Sequence, residues 1–320
     1  MRYFVTGSAG FIGSNYVGFL LSEIQRTSLV TIYDAFTYAS NPKNYSEFQN
    51  DPRLKIIKGD VCNSFSLEKE MYGHDFVIHF AAESHVDRSI ADPAKFIQTN
   101  VLGTFQVLEA ARRVGIQTVI LVSTDEVYGS IETGSADESY SLNPNSPYSA
   151  SKAAGDLLAR SYFITHGLDV RITRCCNNYG KFQFPEKVIP VFIRTLLSGN
   201  PVPIYGDGQN VREWIHVSDH CKGIQLVLES GLPGEIYNIG SGTLLTNNDL
   251  ASLIISTLGL SDNMKSYVDD RKGHDYRYSI NSSKINALGF KPEVGFSLGI
   301  LETVEWYSKH ENWWLNSQST

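Results

Sequence analysis

The chain has 320 residues, 42% of them hydrophobic, and a formal net charge of −7. That length allows about two packed units around a large core, and the acidic balance gives no electrostatic case for nucleic acid or an anionic membrane as partner. No apolar run approaches the length of a membrane span, no secretory signal precedes the first strand, and the expected setting is the cytoplasm.

Tyr3-Phe4-Val5-Thr6 reads as a short apolar strand, and Phe11 to Leu21 as an apolar helix. Between them runs Gly7-Ser8-Ala9-Gly10-Phe11-Ile12-Gly13, a Gly-x-x-Gly-x-x-Gly variant of the dinucleotide signature in its required strand-turn-helix setting. A pyrophosphate is expected at that helix N-terminus, where amides are unpaired and glycine removes the Cβ atoms that would hold phosphate away. The strand Leu29 to Tyr33 ends at Asp34, about 20 residues beyond Gly13, the distance at which a carboxylate accepts ribose hydroxyl hydrogen bonds. No Arg or Lys follows before Lys43 to receive a 2′-phosphate, so the expected cofactor is NAD. After the strand Leu54 to Lys58, Asp60 and Val61 are candidates for the adenine end.

The alternation continues with a strand from Phe76 to Phe80, an amphipathic helix from Val101 to Val114, a strand from Thr118 to Ser123, a helix from Ser149 to Thr165 and a strand from Asp169 to Arg174. Such alternation predicts an α/β fold, a Rossmann-type doubly wound parallel sheet with helices on both faces. After Asn177 the rhythm breaks into Gly-, Pro- and Asn-rich loops with a helix from about Val188 to Leu197. The expected division is a dinucleotide-binding domain at 1–176, to which about 212–240 returns, and a smaller, discontinuous C-terminal substrate lobe at 177–211 and 241–320. Late helices are expected to begin near Thr246 and Ser297, both residues of N-cap type. The four cysteines, Cys62, Cys175, Cys176 and Cys221, lack zinc spacing, and the adjacent Cys175 and Cys176 read as small packing groups.

Tyr148 and Lys152, in Ser-Pro-Tyr-Ser-Ala-Ser-Lys, stand one helical turn apart. An ammonium near a phenol favours the phenolate, so Tyr148 can take a proton from a substrate hydroxyl as hydride leaves. Ligands of an open parallel sheet bind beyond the carboxyl ends of its strands, and the strand from Thr118 delivers Ser123-Thr124-Asp125-Glu126-Val127-Tyr128-Gly129 there. An Asp-Glu pair alone reads as a solvated turn. At this edge, beside Tyr148 and Lys152, it reads as an acid and a base, since neighbouring carboxyls push their pKa values apart until one stays protonated near neutral pH.

These motifs, together with His79-Phe80-Ala81-Ala82-Glu83-Ser84-His85-Val86-Asp87-Arg88-Ser89, Asn177-Asn178-Tyr179-Gly180, Gln183-Phe184-Pro185-Glu186-Lys187 and Arg271-Lys272-Gly273-His274-Asp275, resemble the extended short-chain dehydrogenase/reductase superfamily. Within it they look like the dTDP-glucose 4,6-dehydratases, essentially from end to end. The resemblance implies an NAD-dependent lyase acting on a nucleotide-diphosphate sugar, with Asp125 as acid, Glu126 as base and Thr124 bonding the C4 oxygen. It places Ala81, Ala82, Thr99 and Asn178 at the cofactor, Ser84 and Asn177 at the sugar, and Lys187, Arg212, Asn247, Arg271, His274 and Tyr278 at the nucleotide diphosphate. Guanidinium donors suit diphosphate oxygens, which makes Arg212 and Arg271 the strongest of these on chemical grounds.

A nucleotide-sugar 4-epimerase would share Tyr148, Lys152 and NAD but have no use for Asp125 and Glu126. A non-catalytic NAD-binding regulator would need neither pair. His79 and His85 lack a third ligand, and no metal is expected. Lys181 and Cys176 stand where the family pattern has Pro and Ser. Related short-chain dehydrogenases form homodimers through two helices per subunit, here 101–114 and 149–165, whose Phe105, Leu108, Leu157, Leu158 and Tyr162 would meet a partner or cover the sheet.

Overall fold

The computed structural model describes residues 1–270 and 273–315. Among them twelve strands form three sheets. β1 (Arg2–Thr6), β2 (Leu29–Asp34), β3 (Leu54–Lys58), β4 (Phe76–His79), β5 (Thr118–Thr124), β6 (Val170–Cys175) and β10 (Ile236–Ile239) make one all-parallel sheet in the order β10-β6-β5-β4-β1-β2-β3. β7 (Asn177–Tyr179), β9 (Val211–His216) and β11 (Thr243–Thr246) make a second, mixed sheet, while β8 (Val202–Tyr205) and β12 (Lys265–Val268) make a third.

Parallel strands covered on both faces read as continuous apolar runs, and β5, Thr-Val-Ile-Leu-Val-Ser-Thr, is buried at every residue. Successive side chains of a strand point to opposite faces: Tyr3 and Val5 join the core beneath the helices Phe11–Ser22 and Val217–Ser230, whereas Phe4 joins the core beneath Ser64–Met71, Thr104–Val114 and Pro147–His166. A third core, with Ile189, Phe192, Trp214, Leu250, Ile254 and Ile300, belongs to the smaller lobe. By strand pairing, the return to the large sheet begins with the helix Val217–Ser230 and ends in β10, because β9 pairs with β7 and β11.

The helix Pro147–His166 is started by its own sequence. Ser146 and Ser149 form a reciprocal capping box, Pro147 occupies the first turn, and Gly167 ends the helix at φ +67°. One expected start and one expected cap differ from the structure. The helix predicted from Val101 is α-helical from Thr104, and Ile97–Gly103 winds as a wider π-helix. There the Asn100 amide pairs with both Glu83 N–H (2.8 Å) and Glu83 C=O (3.0 Å), and an added Cβ on Gly103 would stand 2.7 Å from Val61 Cγ2. The last long helix does start near Ser297, at Phe296, but its N-cap is Gly295 and not Ser297; the Asp219 carboxylate holds the amides of Glu293 (3.0 Å) and Val294 (2.9 Å) and fixes the chain's entry. Thr246 does cap its helix, in a box with Asp249.

One buried ion pair ties the helix Pro147–His166 to β6. Arg174 Nε donates to Asp156 at 2.9 Å, both side chains are at most 3% exposed, and Arg174 also donates to the Tyr128 hydroxyl at 2.9 Å. Removing one partner strands a charge away from water. Asp156→Ala is expected to lower stability by about 3–5 kcal/mol in urea titration, whereas Asp156→Leu with Arg174→Met recovers most of that loss.

Candidate active site

A cavity of about 340 Å³ opens at the carboxyl ends of the strands of the large sheet. Its floor is the glycine turn, in which the three glycines serve different ends. Gly7 has φ +65° and a Cβ there would stand 2.3 Å from Ala81 N; a Cβ on Gly13 would stand 2.6 Å from Ser8 Cα. Both are therefore demanded by the protein's own packing. Gly10 is not: its nearest neighbour would be Gly7 O at 3.4 Å. It is the N-cap of the helix Phe11–Ser22, offers no side-chain cap, and lines the cavity with Phe11, Ile12 and Gly13. The turn thus presents helix N-terminal amides to a space that no side chain fills.

Asp34 faces the same space with its carboxylate already organised by the chain. Oδ2 accepts from Ala9 N–H (2.8 Å) and Oδ1 from Phe36 N–H (2.8 Å) and the Ser40 hydroxyl (3.0 Å), against burial that pushes its pKa up. To reach this position Phe36 adopts a left-handed backbone, φ +51°. Asp60 and Val61 line the cavity farther along, with Asp60 Oδ1 accepting from Cys62 N–H at 2.8 Å.

Where β5 ends, Thr124, Asp125 and Glu126 meet Tyr148 and Lys152 on one wall. Asp125 is 3% exposed, and its pKa stands well above the usual carboxylate range, first because burial disfavours its charge and then because Glu126 and Glu213 are near. Its Oδ1 accepts from the Thr124 hydroxyl at 3.2 Å, and its Oδ2 has no hydrogen-bond partner among the described residues. Burial thus disfavours the carboxylate form of a group that keeps one oxygen uncommitted among the described residues. Lys152 directs its ammonium to the Val122 carbonyl at 2.7 Å. The Tyr148 hydroxyl is raised by burial, Glu126 and Cys175 and lowered by Thr124. Tyr148 and Lys152 thus stand together on the cavity wall, with one ammonium hydrogen of Lys152 committed to Val122.

Ala81, Ala82, Ser84, Thr99, Asn177, Asn178 and Lys187 also line the cavity. Lys187 Nζ donates to Ser84 C=O at 2.7 Å, across the gap between the lobes. Four expected diphosphate residues do not line it. Arg212 is 6% exposed, lies 4.3 Å over the Tyr278 ring, and donates to the carbonyls of Val211 (2.8 Å) and Asp275 (2.8 Å). Tyr278 donates to Asp275, and Glu126 helps to raise its pKa, so this cluster adjoins the acid–base pair without sharing the cavity. Asn247 starts a helix with its N–H on Asn210 C=O (3.1 Å), and His274 pairs with Asp270 at 2.6 Å. Arg271 lies outside the described residues.

His79 is buried between the hydroxyls of Thr6 (2.6 Å) and Thr104 (3.1 Å), and its pKa is pushed down to about 3 by burial. Lys181 is exposed, whereas Cys176 is buried and lines the cavity. Sequence reasoning missed a clasp at the rim. The Arg88 guanidinium lies 3.8 Å over the Tyr38 ring and donates to Glu186 (3.1 Å), which also accepts from the Tyr38 hydroxyl (3.3 Å). Arg88 and Glu186 both stand inside quoted motifs, but nothing in either segment announces the other.

A family model described as GDP-mannose 4,6 dehydratase matches residues 4–303. The chain belongs to that family. Within the GDP-mannose 4,6 dehydratase family it is 52% identical to a dTDP-glucose 4,6-dehydratase of Streptomyces griseus, over 97% of this chain and 95% of the relative. It superposes on DesIV, the dTDP-glucose 4,6-dehydratase of Streptomyces venezuelae solved with NAD bound, with a TM-score of 0.98 at 51% identity, covering 99% of this chain and 100% of the other. The UDP-glucose 4-epimerase of Thermus thermophilus, also solved with NAD, gives a TM-score of 0.88 at 30% identity, over 97% of this chain and 100% of the other.

The glycine geometry separates two variants. Gly13→Ala is expected to cost about 1–3 kcal/mol of stability by overpacking. Gly10→Ala is expected to leave the denaturation midpoint within about 0.5 kcal/mol while weakening NAD about tenfold or more, a loss of about 1.4 kcal/mol. Calorimetry with NAD beside a denaturation curve reads both.

Proposed function

We infer that this chain catalyses the NAD-dependent dehydration of dTDP-glucose to dTDP-4-keto-6-deoxyglucose, a lyase reaction of deoxysugar biosynthesis. The observation that carries the reading is Asp125, a buried carboxyl whose charged form is disfavoured by burial and by Glu126, in the same cavity as Tyr148. Relatives in sequence and in structure with this activity support it.

The residues divide the work as follows. Tyr148, with Thr124 against its hydroxyl, takes the proton of the C4 hydroxyl as that carbon is oxidised. NAD, when bound, would accept the hydride from C4 and return it at C6, while Lys152, held on Val122, supplies a positive charge one helical turn from Tyr148. The C4 ketone acidifies the C5 proton, which Glu126 removes. Asp125 gives its proton to the departing C6 hydroxyl, so water leaves. A proton then returns to C5 as C6 is reduced, and the cofactor ends as it began. A 4-epimerase would have no task for a protonated Asp125, which makes it the second reading.

Cofactor roles for Gly10, Asp34, Asp60, Val61, Ala81, Ala82, Thr99 and Asn178, and sugar or diphosphate roles for Ser84, Asn177, Lys187, Arg212, Asn247, His274 and Tyr278, are part of this proposal. So are a cytoplasmic setting and a homodimer. Among the described residues no helix is long and apolar enough to cross a membrane. Of the five side chains expected to meet a partner or cover the sheet, Leu108, Leu158 and Tyr162 pack into the sheet's own core, whereas Phe105 (36%) and Leu157 (59%) are exposed. Leu102 (43%) and Ile164 (62%), on the same two stretches, extend that apolar face. Sedimentation at micromolar concentration is expected to give a dimer, and Leu157→Glu a monomer; a monomeric parent chain refutes this part.

Incubation with dTDP-glucose followed by mass analysis separates the readings: loss of one water marks the dehydratase, unchanged mass the epimerase. Glu126→Gln is expected to oxidise C4 and then stall, with elimination slowed by about 10²–10⁴. Reduced-cofactor absorbance therefore appears and persists, whereas Tyr148→Phe suppresses it. Release of product by Glu126→Gln at the parent rate would remove Glu126 from the mechanism.

A further inference from the structure

His220 sits on the helix Val217–Ser230, is 0% exposed and is not among the cavity-lining residues. Its Nδ1 lies 2.8 Å from Oδ1 of Asn178, which does line the cavity. Burial pushes the imidazole down to about 3, so it is neutral and carries one ring hydrogen. An amide oxygen accepts, so that hydrogen is on Nδ1. The other end of the Asn178 amide is also committed: Nδ2 donates to Cys176 C=O at 3.0 Å, while Gln183 Nε2 donates to the Asn178 backbone carbonyl at 2.9 Å. Turned over, Asn178 would set its oxygen against the Cys176 carbonyl, so that carbonyl selects the orientation and the His220 Nδ1–H then holds the amide oxygen in it. One orientation remains, and in it the uncommitted hydrogen belongs to Nδ2.

His220 Nε2 is buried with no hydrogen-bond partner among the described residues. The ring's one hydrogen bond within the described residues is therefore the bond to Asn178. A buried ring with one nitrogen unsatisfied is costly, and what it secures in this site is the fixed amide.

We propose that His220 is a positioning residue of the cofactor site, which locks the Asn178 amide so that it offers a hydrogen-bond donor, and not an acceptor, to an acceptor atom of the bound dinucleotide. The proposal rests on the reading of this cavity as the NAD site. His220 acts through Asn178 and touches no ligand itself.

A double-mutant cycle on NAD affinity tests it, because a purely structural histidine would weaken binding equally with or without the Asn178 side chain. His220→Phe and His220→Met, two donor-less replacements of different shape, are each combined with Asn178→Ala, and NAD and dTDP affinities are measured by calorimetry. Each His220 variant is expected to weaken NAD about fivefold to tenfold, in line with one buried hydrogen bond, to leave dTDP affinity within about twofold, and to cost nothing further once Asn178 is alanine. His220→Gln, which can still donate, is expected to restore most of the NAD affinity. Additive losses in the cycle, or equal losses of NAD and dTDP, overturn the proposal. If either replacement fails to fold, the other variant and His220→Gln still decide it. Failure of the unaltered protein to bind NAD would instead overturn the reading of the cavity, a result visible before any variant is made.

Discussion

Strand β5 ends inside the protein, and the arrangement of the cavity wall depends on that. With all seven of its residues buried, the carboxyl that follows is buried too, and its charged form is disfavoured relative to a surface turn. The same strand end organises its neighbours. Val122 C=O holds Lys152, Ser123 C=O receives the Cys175 thiol at 3.4 Å, and the Thr124 hydroxyl receives Glu126 N–H at 3.3 Å. Burial also pushes Cys175 up to about 12, which leaves that thiol inert beside the reacting groups.

The parts of this arrangement legible in the sequence are those encoded locally. The glycine turn, Asp34, the parallel strands and the Tyr148–Lys152 spacing each lie within one or two elements, where periodicity and turn chemistry speak directly. The strands of the smaller lobe were not legible: β7, β8 and β11 have three or four residues each and no sustained alternation. The π-helix was hidden because the contacts made within it, such as the Asn100–Glu83 pairing, join different elements. Ser297 looked like a cap because serine is a good one, yet Asp219, distant in sequence, set the start. The contacts of Arg212 and Tyr278 within the chain were not legible: the guanidinium lies over the Tyr278 ring and donates to the Asp275 backbone carbonyl, while the Tyr278 hydroxyl donates to the Asp275 carboxylate.

The clasp of Tyr38, Arg88 and Glu186 suits a cofactor that is restored at each turnover. An enzyme that consumes its dinucleotide must let it go, whereas one that regenerates it gains from holding it. The contacts come from the loop after β2, the helix after β4 and the loop after β7, so the rim closes only when both lobes are in place. Lys187 on Ser84 makes a second crossing of the same gap.

The edge strand β10 is the last piece of the large sheet in the chain, and it lies beside β6, from which the first segment of the smaller lobe and the helix Val217–Ser230 separate it. During synthesis β6 therefore waits with an unpaired flank while some sixty intervening residues emerge. An open parallel edge is a template for wrong partners, and pairings so far apart in sequence form slowly because the loop between them must first be closed. A nascent chain stopped before residue 236 would carry the glycine turn, Tyr148 and the acid–base pair, and still expose the sheet on which they stand.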